Sequence, residues 1–314
     1  MFAHSFPFDP RYGYDLARLL TVPPAPEAED FASFWRSTFA AARAVDPQAV
    51  FAPSAHRVEG FDLLDVAYTS LDRVRIRGWV ALPRGVPVRC GLVIGHGYGG
   101  RDGPDTLPLR PDAAMIFPCA RGLSASRQPG LPEVSGEHVL HGIESRETYI
   151  HRGCAADLWL AATVLTALVP AVAGRLGYVG TSFGGGIGAL ALPWDARFSR
   201  AFLGLPSFGQ HPLRLELPCV GSGEAVRLHA RTHPAVRDVL RYFDASVAAR
   251  HLAIPTFVAP AIFDPAVPPP GQFAIYNALP GPKELLALQA GHFDWPGAAA
   301  EDARTRDALV RFLA

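Results

Sequence analysis

Residues 177–186 read Gly-Tyr-Val-Gly-Thr-Ser-Phe-Gly-Gly-Gly, and few folds accommodate such a stretch. Gly180-Thr181-Ser182-Phe183-Gly184 is a G-x-S-x-G pentapeptide. The pattern suits a serine on a sharp strand-to-helix turn, in strained backbone, with its hydroxyl pushed into the open. Side chains at the flanking positions would then meet the neighbouring strand and the incoming helix. The context agrees. Leu176, Tyr178 and Val179 predict a short buried strand, and Ile187, Leu190, Ala191 and Leu192 predict the apolar side of a helix just past the serine. Alone, the pentapeptide fits a glycine-rich loop with an incidental serine equally well, because short motifs recur by chance. Partner residues have to decide.

A serine hydroxyl is a poor nucleophile at neutral pH. It needs a base to take its proton, and the base needs an acid partner to fix its tautomer and stabilise its charge. Ser182 is followed by Asp264 just past an apolar run at 254–262, and by His292 just past a run at 284–289. Serine, acid, histidine, each after a strand, is the order of the α/β-hydrolase fold, and it puts all three at the carboxyl edge of one sheet. Asp264 precedes a proline and also reads as a turn residue, while Asp294 is a rival acid. Two backbone N–H groups should meet the oxyanion that acyl transfer creates. Phe183, next to the nucleophile, supplies one candidate. Tyr98, in Gly97-Tyr98-Gly99-Gly100 after an earlier strand, supplies the other. A plain tight turn is the alternative reading of those glycines.

The remaining chain predicts a sheet for this site to sit on. Segments 63–69 and 74–82 read as a hairpin broken at Leu71-Asp72-Arg73. Residues 90–94, 113–117, 176–179, 201–205, 254–262 and 284–289 read as buried strands. Helical spacing lies between them, at Cys154, Leu158, Ala161, Leu165 and Leu168, in 207–250, and in a closing helix with Leu309, Phe312 and Leu313. Alternation from residue 90 onward means a mostly parallel sheet with helices on both faces. No linker divides the chain, so 1–314 is expected to be a single α/β-hydrolase domain. Within it, 1–60 would form an N-terminal arm and a docking helix around Phe31, Phe34, Trp35 and Phe39. Residues 1–26, with prolines and no sustained period, would run extended, and Glu27, Glu29 and Asp30 would favour the positive end of the helix dipole. The polar stretch 123–150 reads as a lid or active-site loop.

Composition excludes several function classes. Formal net charge is zero and charged residues are 18%, so no basic excess exists to neutralise nucleic-acid phosphates. Low charge leaves little repulsion between copies, which favours a homo-oligomer. Cys90, Cys119, Cys154 and Cys219 are far apart, without zinc-type spacing, and read as buried free thiols. His138, His141 and His151 cluster, but no carboxylate or thiolate joins them at ligand spacing, so packed or solvated histidines are expected. The first ten residues lack a basic segment with an apolar core, and the uncharged stretch 158–174 is too short for a comfortable membrane span. No membrane partner is expected, and the cytoplasm is the default location.

The motifs together resemble the acetyl xylan esterase and cephalosporin C deacetylase family, the seventh carbohydrate esterase family. The resemblance runs through Asp30-Phe31 to Trp35, His96-Gly97-Tyr98-Gly99-Gly100, Arg121-Gly122, Gly142-Ile143, Tyr149 and Arg152-Gly153. It continues in Gly180 to Gly186, Tyr242-Phe243-Asp244, Asp264-Pro265, Tyr276-Asn277-Ala278-Leu279, Gly281-Pro282-Lys283-Glu284 and Ala290-Gly291-His292. It implies Ser182 as nucleophile, Asp264 as acid, His292 as base, and the N–H groups of Tyr98 and Phe183 as oxyanion donors. It also implies deacetylation of small acetylated sugars and cephalosporin-type esters, no cofactor, no metal, and a cytoplasmic hexamer. The chain departs from the family pattern where Leu123 and Phe183 replace glutamine and Phe293 replaces glutamate, and the segments after Gly100 and Gly122 look short. A pocket more apolar than the family's, favouring a less polar ester, is the expectation. The alternatives are an α/β-hydrolase with another ester, lactone or peptide substrate, or a catalytically silent relative that binds a ligand.

Overall fold

A computed structural model describes residues 2–104 and 110–314. Met1 and residues 105–109, part of the segment after Gly100, lie outside the described residues. The described strands form one nine-stranded sheet, with β1 (Val50–Pro53), β2 (Phe61–Thr69), β3 (Arg75–Pro83), β4 (Cys90–Ile94), β5 (Ala113–Pro118), β6 (Leu176–Thr181), β7 (Phe198–Gly204), β8 (Thr256–Ala259) and β9 (Lys283–Leu285). Their order is β1-β2-β3-β5-β4-β6-β7-β8-β9. β1, β2 and β3 run antiparallel to their neighbours, and β5 through β9 are parallel. The order places β4 and β6, the strands before Gly97 and Ser182, side by side in the middle of the sheet.

The predicted strands are present, with instructive differences at their ends. The run at 254–262 forms a ladder only over Thr256–Ala259, because Pro255 and Pro260 bracket it and proline has no N–H to donate. The run at 284–289 pairs over Lys283–Leu285 and then touches once more through Ala261 and Leu288. β1 gave no sequence signal because all four of its residues are exposed, so neither face of it carries a hydrophobic pattern. The arm is not purely extended: Leu16–Leu19 forms a helical turn capped by the Asp15 side chain.

Helices lie on both faces, unequally. One face carries Phe31–Arg43, Ile150–Leu168 and Phe183–Ala191 over a large apolar core. In the first of these, Phe31, Trp35, Thr38 and Ala42 are buried, a single stripe at helical spacing. Burying Phe31 alone contributes about 1.5–3 kcal/mol. Asp30 does not cap this helix through its side chain. Its carboxylate instead bonds Arg146 and the Tyr242 hydroxyl at the surface. The other face is packed by Ala298–Leu313, through Leu309 and Leu313. No other described helix covers that face, so Thr181 is exposed there and a cavity of about 310 Å³ lies between the sheet and this helix.

No described helix is long and apolar enough to cross a membrane. The four cysteines are free; Cys119, Cys154 and Cys219 are buried and Cys90 is half-buried.

Candidate active site

Five residues with positive φ gather at the carboxyl edge of the sheet: Ser182 (57°), Leu205 (43°), Phe208 (69°), Gln210 (55°) and His292 (46°). None is glycine, so each holds a costly conformation that its surroundings enforce, and such strain concentrates at functional sites. Ser182 sits between β6 and the helix Phe183–Ala191, at φ 57°, ψ −118°. The glycines around it serve close approach. A Cβ on Gly180 would come 2.7 Å from the Gly184 backbone, and one on Gly184 would come 2.9 Å from the His96 carbonyl oxygen.

Ser182, His292 and Asp264 form a hydrogen-bonded relay. His292 Nε2 lies 2.9 Å from the Ser182 hydroxyl oxygen, and His292 Nδ1 lies 2.8 Å from Asp264 Oδ2. Asp294 is exposed; Asp264, fully buried, is the carboxylate that meets the ring. A buried carboxylate needs donors on every lone pair. Asp264 receives them: Oδ1 accepts the N–H groups of Ala266 and Val267, and Oδ2 accepts Gln272 Nε2. Gln272 is in turn held by the Val267 carbonyl and the Ala261 N–H. Sequence reasoning missed Gln272, because nothing in Pro-Pro-Gly-Gln-Phe marks a side chain as turned back onto a loop.

Burial works against the charged form of the His292 ring. The charge and hydrogen bond of Asp264 more than compensate, Arg214 pushes the other way, and the net result is a pKa above the ordinary 6.5. The ring is not sealed off, since 27% of its side chain is exposed.

The loop after β4 lies against Ser182: a Cβ on Gly97 would meet the Ser182 Cβ at 3.7 Å. His96 pins that loop. Its Nε2 accepts the Ala120 N–H at 2.9 Å, so its Nδ1–H donates to the Gly97 carbonyl at 2.7 Å. Burial lowers this histidine to about 4, which keeps the required neutral tautomer. Among the described residues, neither the Tyr98 nor the Phe183 N–H meets an acceptor. Both are therefore free for a substrate oxygen.

Behind the loop, the Tyr98 hydroxyl lies between His138 Nδ1 (3.3 Å) and His151 Nε2 (3.1 Å). His138 Nε2–H donates to the Arg121 carbonyl. Its Nδ1 therefore accepts from Tyr98, and His151 Nε2–H donates to Tyr98. The histidine cluster is thus packed and hydrogen-bonded, with burial lowering His138 to about 4 and His151 well below the ordinary range. Arg121 is itself buried and bidentate on Asp157, at 2.8 and 3.1 Å. Gly153 makes room for it: a Cβ there would lie 2.0 Å from Arg121 Nη1.

The three apolar departures do not gather into one pocket wall. Leu123 is buried in the core. The Phe183 ring packs on Tyr98 at 4.2 Å between centroids. Phe293 packs on Phe263 at 4.9 Å and on Phe2 at 5.7 Å, so it anchors the arm. A surface hollow of about 520 Å³, lined by Ala52, His56 and Trp79 among others, lies on the antiparallel strands and does not include the relay.

A profile of the acetyl xylan esterase (AXE1) family matches residues 16–304. The chain belongs to the acetyl xylan esterase family. It is a serine esterase with the α/β-hydrolase fold. Solved structures of similar fold include an acetyl xylan esterase from Paenibacillus sp. R4, with TM-score 0.80, 24% identity, 94% of this chain and 99% of that chain covered. Another is acetyl xylan esterase 1 from Thermoanaerobacterium sp. JW/SL YS485, with TM-score 0.82, 20% identity and coverages of 96% and 99%. An acylaminoacyl peptidase from Pyrococcus horikoshii matches more loosely, with TM-score 0.64, 15% identity, and coverage of 81% of this chain against 42% of that one. As in other acetyl xylan esterases, small acetylated esters are the substrate class.

Proposed function

We propose that Ser182, His292 and Asp264 carry out this deacetylation by two-step acyl transfer. The supporting observation is the continuous relay from Asp264 through His292 to Ser182, with two unengaged N–H groups beside the serine. His292 takes the Ser182 proton as the hydroxyl oxygen attacks the ester carbonyl. Asp264 holds the ring in the tautomer that leaves Nε2 free to accept. The Tyr98 and Phe183 N–H groups receive the oxyanion, and His292 then hands the proton to the departing alcohol. Water, deprotonated by His292, attacks the acetyl-serine and releases acetate. No step calls for a metal or cofactor.

Acetylated sugars and cephalosporin-type esters are the proposed substrates. Residues 123–150 serve in this reading as a fixed wall of the site, since His138 holds Tyr98 and both Val139 and Ile143 are buried in the core. A cytoplasmic homo-oligomer, a hexamer by resemblance, completes the proposal, and sedimentation velocity tests the subunit number.

The decisive experiment compares the protein with Ser182→Ala on p-nitrophenyl esters from acetyl to octanoyl, with acetylated xylose alongside. Turnover should be greatest with acetyl and should fall at least about 10⁴-fold in the variant. Turnover rising with acyl length would replace the deacetylase reading by an esterase with an apolar acyl pocket. Turnover unchanged in the variant would remove Ser182 from the chemistry.

A further inference from the structure

The chemistry above leaves Arg214 unused. It ends the short helix His211–Arg214 and is 7% exposed. Among the described residues its guanidinium has no ion pair and no hydrogen bond, and Nη1 is buried without a partner. A guanidinium cannot shed its proton, and a buried charge without a counter-ion is costly enough that such groups are normally paired. The other buried arginines are paired in that way, Arg121 with Asp157 and Arg227 with Glu224.

Nearby acids are committed elsewhere. Asp264 serves His292 and Gln272. Asp244 accepts from the N–H groups of Gln210, His211 and Ser246. Glu224 holds Arg227 and the Cys219 N–H. Burial pushes the Cys219 thiol up, so it adds no negative charge.

The cation lies beside the loop that carries Asp264: a Cβ on Gly223 would come 2.6 Å from Arg214 Nη2 and 3.4 Å from the Ala266 carbonyl oxygen. It lies 5.5 Å from the centre of the Phe208 ring, which meets Phe183 edge-on at 6.0 Å, and Phe183 follows Ser182 in the chain. Its charge is felt at Tyr98, at His292 and at Tyr12 of the arm. Two more buried nitrogens without partners lie in its field, His151 Nδ1 and His211 Nδ1. Their Nε2–H groups are spent on Tyr98 and on the Phe243 carbonyl. Both Nδ1 atoms are therefore neutral acceptors, and neither ring supplies a counter-charge for the guanidinium.

We infer that Arg214 binds an anionic oxygen group, a carboxylate or a phosphate, on the alcohol part of the substrate, so that the preferred ester is the acetate of an acid. The alcohol part must carry the charge because an acetyl group has none. This inference rests on the deacetylase reading and names the substrate class for that site.

The test uses three acetates: 4-acetoxybenzoate, 4-acetoxyphenyl phosphate and neutral methyl 4-acetoxybenzoate. Each is assayed with the protein, Arg214→Met, Arg214→Lys and Ser182→Ala. The readout is the ratio of kcat/KM for an anionic ester to that for the neutral one, which cancels intrinsic reactivity when compared between variants. Arg214→Met should lower that ratio about 10- to 100-fold, mainly through KM, and Arg214→Lys should retain part of it. A loss confined to the benzoate assigns a carboxylate site, and a loss confined to the phosphate ester assigns a phosphate site. The Lys variant keeps the test open if the Met variant does not fold. A ratio unchanged in both variants, with Ser182-dependent turnover intact, overturns the role of Arg214 alone. Absence of Ser182-dependent turnover on all three esters overturns both readings. Calorimetric titration with 4-hydroxybenzoate reads binding without catalysis, and equal affinity for the protein and Arg214→Met also overturns the inference.

Discussion

Asp264 and burial pull the basicity of His292 in opposite directions, and the balance sets a measurable pH profile. In the proposed mechanism the ring must be neutral to accept the serine proton. Because its pKa is held above 6.5, kcat/KM should fall about tenfold per pH unit on an acid limb whose midpoint lies above 6.5. A limb centred at or below 6.5 would contradict the geometry. Arg214 lowers His292, so Arg214→Met should move the limb upward. Asp264→Asn should move it downward and cost about 10⁴-fold in kcat. Gln272→Leu removes one donor from Asp264 Oδ2, leaving that oxygen to the His292 ring alone. We expect kcat to fall about tenfold, KM to change little, and the acid limb to shift upward. An unshifted limb would make Gln272 only a packing residue. Ser182, Asp264 and His292 were legible as candidates in the sequence because each comes shortly after an apolar run. Gln272 and Arg214 were not, because their partners come from loops that meet only after folding.

Strands and helices were read well where both faces of the sheet are covered, since continuous apolar runs such as Cys90–Ile94 leave little choice of structure. β1 escaped because an exposed edge strand has no buried face to pattern. The arm, read as extended over the surface, packs on the loops that carry Asp264 and His292. The Asp264 N–H bonds the Pro10 carbonyl, the Tyr12 hydroxyl bonds the Pro218 carbonyl, and Phe2 packs on Phe263 and Phe293. Deleting residues 2–12 should therefore lower both the thermal midpoint and kcat, whereas a passive tail would change neither. The helix Ile150–Leu168 supplies a sharper case. Gly153 lets it pass the Arg121 guanidinium, which is locked on Asp157 and cannot yield. Gly153→Ala should break that pair and destabilise the fold by about 3–5 kcal/mol, read as a shift in denaturant midpoint.

The protein keeps four histidines buried and neutral: His96, His138, His151 and His211. Burial lowers three of them to about 4 and holds His151 well below the ordinary range. For such groups the unfolded chain binds more protons than the folded one between about 6.5 and 4. Stability is thus fully present above 6.5 and is lost as pH falls through that window, on the order of 1 kcal/mol per histidine per pH unit. His292, raised rather than lowered, contributes in the opposite sense. Denaturant midpoints measured from pH 7 to pH 4 should fall steeply, and a flat profile would show that these rings are not held neutral.

Order along the chain was sufficient for the sheet, the serine turn and the Ser-Asp-His relay, because each depends on local pattern: apolar runs, glycines that permit close approach, and a polar residue at a strand end. The tertiary structure decided the rest. It alone placed the apolar replacements in the core and under the arm, joined Tyr98 to two histidines from distant segments, and left Arg214 buried beside the reaction site without a counter-ion. Those features depend on which side chains share a low-dielectric space, and distance along the chain carries no record of that.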